Sequence, residues 1–268
     1  MLDRVIHLAA PSMQSVYIVA MGTSATKGSV DLGTGTGFVV QRAGRRYLIT
    51  NYHVASGRNP RNGQARHPSG LEADSLKLVL PNPVMPDRIE WSVLDLPVLV
   101  VEDDREGANW LVHPTLGRKV DVVALALDGV PGIDELDLHP YDLDEPGGIV
   151  ARPSLPVNVV GYPYGKPAGG AFPFWTTGTI ATEPGLGFDD LPRFLVHART
   201  TPGQSGSPVI FFAPDVKAGP DSRDMVELIG VYSGRVAIDG LDMAVVWRRD
   251  AIEEVLAGGT LGGAGVRG

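Results

Sequence analysis

The sequence predicts an all-β chain built as two six-stranded antiparallel β-barrels with a C-terminal α-helix. Three observations carry this expectation. Short apolar or alternating runs recur along the whole chain. Gly 34 and Pro 22 punctuate those runs among 268 residues, as turns between strands do. The runs also fall into two blocks of roughly six. Between the blocks lies an acidic stretch with Pro and Gly, Asp128 to Gly148, that has no regular period. Two packed barrels bury such runs and leave few free edges.

In the first block, SVYIVAM (15–21) reads as a strand. TGFVVQ (36–41) and RYLIT (46–50) flank RAGR, which reads as a hairpin. LKLVL (76–80) leads into PNPVMP (81–86), read as a Pro-rich loop, and VLDLPVLVVED (93–103) and KVDVVALAL (119–127) complete the block. The second block runs PVNVVGYPYG (156–165), FPFWTTGTIATE (172–183), RFLVHART (193–200), SPVIFF (207–212), MVELIGVYSG (225–234) and LDMAVVW (241–247). Only RRDAIEEVLAG (248–258) has a helical pattern, with Ala251, Ile252, Val255 and Leu256 on one face. Gly258 and Gly259 end it. The expected organisation is a first barrel over 1–128, a linker over 129–152, a second barrel with its helix over 153–258, and a flexible tail over 259–268.

Composition excludes several function classes. The chain is 43% hydrophobic and 20% charged, enough for a sizeable core. Its formal net charge of −8 repels a phosphate backbone, so no nucleic-acid partner is expected. The Arg-bearing segment Gly57–His67 reads as a solvated surface loop. With Cys 0 there is no disulfide, thiolate metal site or Cys nucleophile. The first residues carry Asp3 and a short apolar run that stops at Pro11. That is a poor signal peptide and too short for a membrane span, so a cytoplasmic chain without a membrane partner is expected. GTGTGF (33–38) places Phe38 where a dinucleotide loop needs its third glycine. No paired ligand spacing appears, so neither metal nor cofactor is predicted.

Three residues suggest chemistry. His53 follows an apolar strand in YLITNYHVASG. Asp121 stands at the mouth of the apolar run DVVALAL, where a carboxylate is costly unless paired. Ser205 sits between Gly203 and Gly206 in TPGQSGSPV (201–209). The glycines permit unusual backbone angles. They also let a substrate carbonyl approach the Ser205 hydroxyl and the Gly203 and Ser205 amides, a candidate oxyanion hole. A serine hydroxyl needs a general base, the candidate role of His53, and the base needs an orienting carboxylate. Asp121 is preferred for that last role over Asp95 in VLDLPVL.

These segments together resemble the trypsin/chymotrypsin-like serine proteases, in the chain order His, Asp, Ser. GFVVQ…YLITNYHVA, KVDVVALAL, VNVVGYPYG and TPGQSGSPV carry the resemblance, which spans about Gln14 to Leu256. Bacterial cysteine-free members are most similar, among them the high-temperature-requirement proteases and the glutamyl endopeptidases. The resemblance implies a double β-barrel with the site in the cleft between barrels, and a serine endopeptidase acting on a protein or peptide substrate. It also implies an S1 pocket walled by Arg199, Thr200, Tyr232, Ser233 and Gly234. Arg199 at its floor would favour an acidic residue before the scissile bond; with Arg199 turned outward, a small pocket would remain. Trypsin-like zymogens place Asp immediately before the nucleophile, whereas Gln204 stands there in this chain. Activation by a clipped N-terminus is therefore not expected. The alternatives are a pseudoprotease used for binding and a latent protease switched on by an activating protein partner.

Overall fold

The computed structural model describes residues 9–85, 88–102, 105–215 and 224–261. The first half carries β1 (Ser15–Ser24), β2 (Gly28–Arg42), β3 (Arg45–Thr50), β4 (Ser75–Met85), β5 (Arg88–Pro97), β6 (Leu99–Glu102), β7 (Arg105–Ala108), β8 (Leu111–Val112), β9 (Val123–Ala126) and β10 (Tyr141–Asp142). The second half carries β11 (Pro156–Gly161), β12 (Phe174–Ile180), β13 (Arg193–Ala198), β14 (Pro208–Ala213), β15 (Met225–Ile238) and β16 (Leu241–Arg248), and β17 (Thr260–Leu261) follows near the end. Helices α1 (Ala10–Gln14), α2 (Tyr52–Ser56) and α3 (Arg249–Gly258) complete the chain.

The all-β class and the terminal helix hold. The second half is a closed six-stranded barrel in the order β11-β12-β13-β16-β15-β14. The first half is larger than the six strands expected. It is a nine-stranded sheet, β17-β8-β9-β3-β2-β1-β4-β5, with β10 added in parallel beside β2. β6 and β7 form a separate two-stranded ribbon. Three strands are extra: β8 at Leu111–Val112, and two from segments expected to be irregular. Tyr141–Asp142, inside the expected linker, pairs with Val40–Gln41. Thr260–Leu261, inside the expected tail, pairs with Leu111–Val112. Residues 262–268 of that tail, and 1–8 at the other end, lie outside the described residues.

Local chemistry accounts for the elements. β2 and β3 close through Ala43 and Gly44, at φ 49° and 73°. Two positive φ values in a two-residue loop make a turn whose twist matches the strands. PNPVM (81–85) belongs to β4 rather than to a loop and pairs with β5. β4 pairs with β1 only as far as Val79, so the prolines fall where one side of the strand has no paired neighbour among the described residues and a missing N–H is tolerated.

One buried cluster joins the halves. Phe38 and Ile49 from the first half meet Val160, Ile210 and Trp247 from the second, with Ile252 and Val255 of α3. The predicted face of α3 is the buried one: Ala251, Ile252 and Val255 are fully buried, and Leu256 packs at their margin. Among the described residues, no helix is long and apolar enough to cross a membrane.

Candidate active site

His53 lies in α2, a single turn that starts immediately after β3. The Val54 and Ala55 amides bond to the Asn51 carbonyl, and Gly57 ends the turn in the left-handed region at φ 69°. The turn faces the imidazole inward, where it is 9% exposed. Asp121 follows a tight turn, with the Val120 amide on the Gly117 carbonyl, and precedes β9. Buried Val120 and Val122 flank it, so its carboxylate is buried as well.

A carboxylate in that position must be satisfied by donors, and it is. His53 Nδ1 is 2.7 Å from Asp121 Oδ2, and the His53 amide donates to Oδ1 at 3.0 Å. The Ser233 hydroxyl donates to Oδ2 at 2.7 Å. Asn51 Nδ2 donates to the Asp121 carbonyl at 2.7 Å. With Nδ1–H held by the carboxylate, Nε2 is left as the basic nitrogen of a neutral ring. Asp95 is elsewhere: it is exposed on β5, opposite Lys77.

Ser205 projects from the turn between β13 and β14. Gly203 and Gly206 take φ values of 90° and 87°. A side chain at Gly206 would stand 2.0 Å from the Thr36 carbonyl, and one at Gly203 would stand 2.4 Å from the Tyr162 carbonyl. Glycine is required at both places by backbone angle and by space. The turn is held from within by Gln204, which is fully buried. Gln204 Oε1 accepts from the Thr201 amide at 2.9 Å, and Nε2 donates to Thr176 Oγ1 at 3.0 Å. A neutral amide thus fills the position where an ion pair would need a new N-terminus.

The two amides proposed for the oxyanion hole have no acceptor among the described residues, whereas their neighbours do. The Gly206 amide bonds to the Tyr232 carbonyl and the Ser207 amide to the Gln204 carbonyl. The Tyr164 amide takes the Pro202 carbonyl at 2.6 Å. In a trans peptide N–H and C=O point opposite ways, so this bond turns the Gly203 N–H away from Tyr164. Tyr164 pays for that role in backbone strain, standing at φ 54° and ψ 27°. The Gly203 carbonyl in turn accepts from Thr36 Oγ1 at 3.0 Å, and the Thr36 amide donates to the Ser205 carbonyl at 2.8 Å. The Ser205 hydroxyl donates to the Ser233 carbonyl at 3.3 Å. His53, Gly203 and Ser205 line one cavity of about 290 Å³.

The S1 residues divide. Thr200 and Tyr232 are buried, Ser233 and Gly234 are half-buried, and β15 carries a register shift between Tyr232 and Gly234. Burial raises the Tyr232 phenol above its ordinary pKa, while the nearby Thr200 hydroxyl and Arg235 act against the rise. Arg199 is exposed. Residues alternate in and out along β13 and beyond, so with His197 exposed and Ala198 and Thr200 buried, Arg199 faces outward. The arginine that does reach this wall is Arg235, whose guanidinium donates to the Thr200 carbonyl and pairs with Asp242. Thr36, Tyr164 and the bond from Ser233 to Asp121 have no local signature in the sequence; their partners lie more than a hundred residues away or in the backbone.

Among the described residues no cluster of three or more His, Cys, Asp or Glu side chains could hold a metal. A comparison with curated proteins finds no match. The solved structure of Deg5 covers 93% of this chain and 92% of its own, at 17% identity and a TM-score of 0.50. That of the Rv3671c protease in its inactive form covers 92% and 88%, at 21% identity and a TM-score of 0.44. The family model described as a trypsin-like peptidase domain matches residues 35–211, a span that includes His53, Asp121 and Ser205. The chain belongs to the trypsin-like peptidase domain family.

Proposed function

We propose that the chain is a serine endopeptidase working through an acyl-enzyme at Ser205. The observation that carries this reading is the buried His53–Asp121 pair, whose His53 lines the same cavity as Ser205 and Gly203. In the first step the Ser205 oxygen adds to the scissile carbonyl carbon while its proton passes to His53 Nε2. The imidazolium formed is stabilised by Asp121, which stays ionised. The carbonyl oxygen gains negative charge and is met by the Gly203 and Ser205 amides. Collapse breaks the C–N bond, and His53 returns the proton to the departing amine. Water then repeats the sequence on the ester and frees Ser205.

The S1 pocket of this reading is small, walled by Thr200, Tyr232, Ser233 and Gly234, with Arg199 outside it. It suits a small polar or modest apolar residue before the scissile bond. The bond from Ser205 to the Ser233 carbonyl favours one variant of the reading, a latent protease. That bond must open before the proton can reach His53, and a bound substrate or a protein partner would open it.

A fluorophosphonate probe tests the assignment. One adduct per chain is expected on the wild type and none on Ser205→Ala. Peptide turnover should fall on the order of 10⁶ in that variant. An adduct that survives the substitution overturns the nucleophile. An adduct formed only after a peptide or cell extract is added identifies the latent form.

A further inference from the structure

We infer that the cavity on the leaving-group side of Ser205 is a subsite for an acidic residue, read by Arg66 and His67. The inference rests on the peptidase reading above. None of the proposed S1 residues, Thr200, Tyr232, Ser233 or Gly234, lines this cavity. His53 does line it, and His53 is the group that hands the proton to the departing amine. The substrate residues after the scissile bond therefore lie here.

The cavity wall has a definite chemistry. Apolar Leu32, Val54 and Pro68 give it a floor for methylene groups. Its charged or titratable side chains besides His53 are Arg66 and His67, and no carboxylate lines it. In a chain of net charge −8 that is a local reversal of sign. Several arginines are neutralised in place: Arg58 by Glu72, Arg193 by Asp189, Arg235 by Asp242 and Arg249 by Glu227. Arg66 has no carboxylate partner among the described residues. His67 Nδ1 accepts from the Ser69 amide at 3.3 Å and lies 2.6 Å from the Ser69 hydroxyl. An accepting Nδ1 puts the ring proton on Nε2 and leaves that N–H to donate.

The loop that presents these groups is fixed. The Arg66 amide bonds to the Gly57 carbonyl, the Asn59 amide to the Gln64 carbonyl and the Gly63 amide to the Asn59 carbonyl. Arg58 bridges Glu72 and the Gly63 carbonyl from below. An uncompensated guanidinium and an imidazole N–H, held beside an apolar floor, match a carboxylate on a short methylene stem. A glutamate or aspartate one or two residues after the scissile bond fits that description.

Matched peptides that differ only by Glu or Gln at those two positions test it. The wild type is expected to favour Glu in kcat/KM by about tenfold, the scale of one charge-assisted bond, and less as salt is raised. Arg66→Glu should reverse the preference, and a Lys peptide should become the better substrate. Arg61→Glu makes the same change of net charge outside the cavity wall, and the preference for Glu should persist there. The same peptides, labelled for fluorescence anisotropy, bind Ser205→Ala without turnover. That arm reads the cavity even where no cleavage occurs, so a failed peptidase and a failed subsite are told apart. Equal cleavage and equal binding of the Glu and Gln peptides, or a preference that survives Arg66→Glu, overturns the inference.

Discussion

Asp121 accepts three side-chain and backbone donors, and they are unequal. The His53 Nδ1–H bond fixes the tautomer, so Asp121→Asn should cut peptide turnover by roughly 10⁴ by favouring the wrong one. The Ser233 hydroxyl contributes a single bond to a charged acceptor. Ser233→Ala should cost about tenfold in kcat on that basis, and Asp95→Asn, on the exposed side of β5, should have little effect. Steady-state rates on one fluorogenic peptide rank all three. His53, Asp121 and Ser205 were legible in the sequence because each has a recognisable context next to it: a strand end, an apolar run, a glycine-flanked turn. Arg199 was harder. Counting back from Ser205 places it near S1, but only the alternation of β13 says that it faces solvent. Thr36 was invisible, since its hydroxyl serves the Gly203 carbonyl 167 residues on.

The turn from Thr201 to Ser207 is built to stand without an ion pair. Gln204→Ala would leave the Thr201 amide and the Thr176 hydroxyl without their buried partner, at a cost of about 1–3 kcal/mol. Fluorophosphonate labelling should slow in this variant, and a lower melting temperature should accompany it. Gly203→Ala meets a backbone angle and a carbonyl that leave no room for a methyl group. It should lose on the order of 10²–10³ in kcat, the value of an oxyanion donor. Longer elements could be read from pattern. The β2–β3 hairpin, the barrel strands and α3 all carry a repeat of two or of 3.6 residues over several turns of the chain. β10 and β17 have two residues each, too few for any period. α2 has five, and its helical state comes from its place after β3. PNPVM misled for another reason: proline marks a loop in general, but on a one-sided stretch of strand it is harmless.

The two halves are not independent beads. Phe38, Ile49, Ile210, Trp247 and Ile252 share one apolar cluster, and β17 returns from the second half to pair with β8 in the first. Ile252→Ala removes buried methylenes where both halves meet, at about 2–5 kcal/mol. Calorimetry should show one transition shifted down as a whole, and two separated transitions would refute the shared core. The sequence did not reveal this join, because a strand's period tells which side is buried and not which neighbour buries it. The bond from Ser233 to Asp121 has a further consequence, for the order of synthesis. A chain emerging from the ribosome shows His53 and Asp121 first, and Ser205 and then Ser233 only after the second barrel has begun to appear. The Asp121 carboxylate lacks its Ser233 donor, and the first sheet lacks β17, until the last strands have been made.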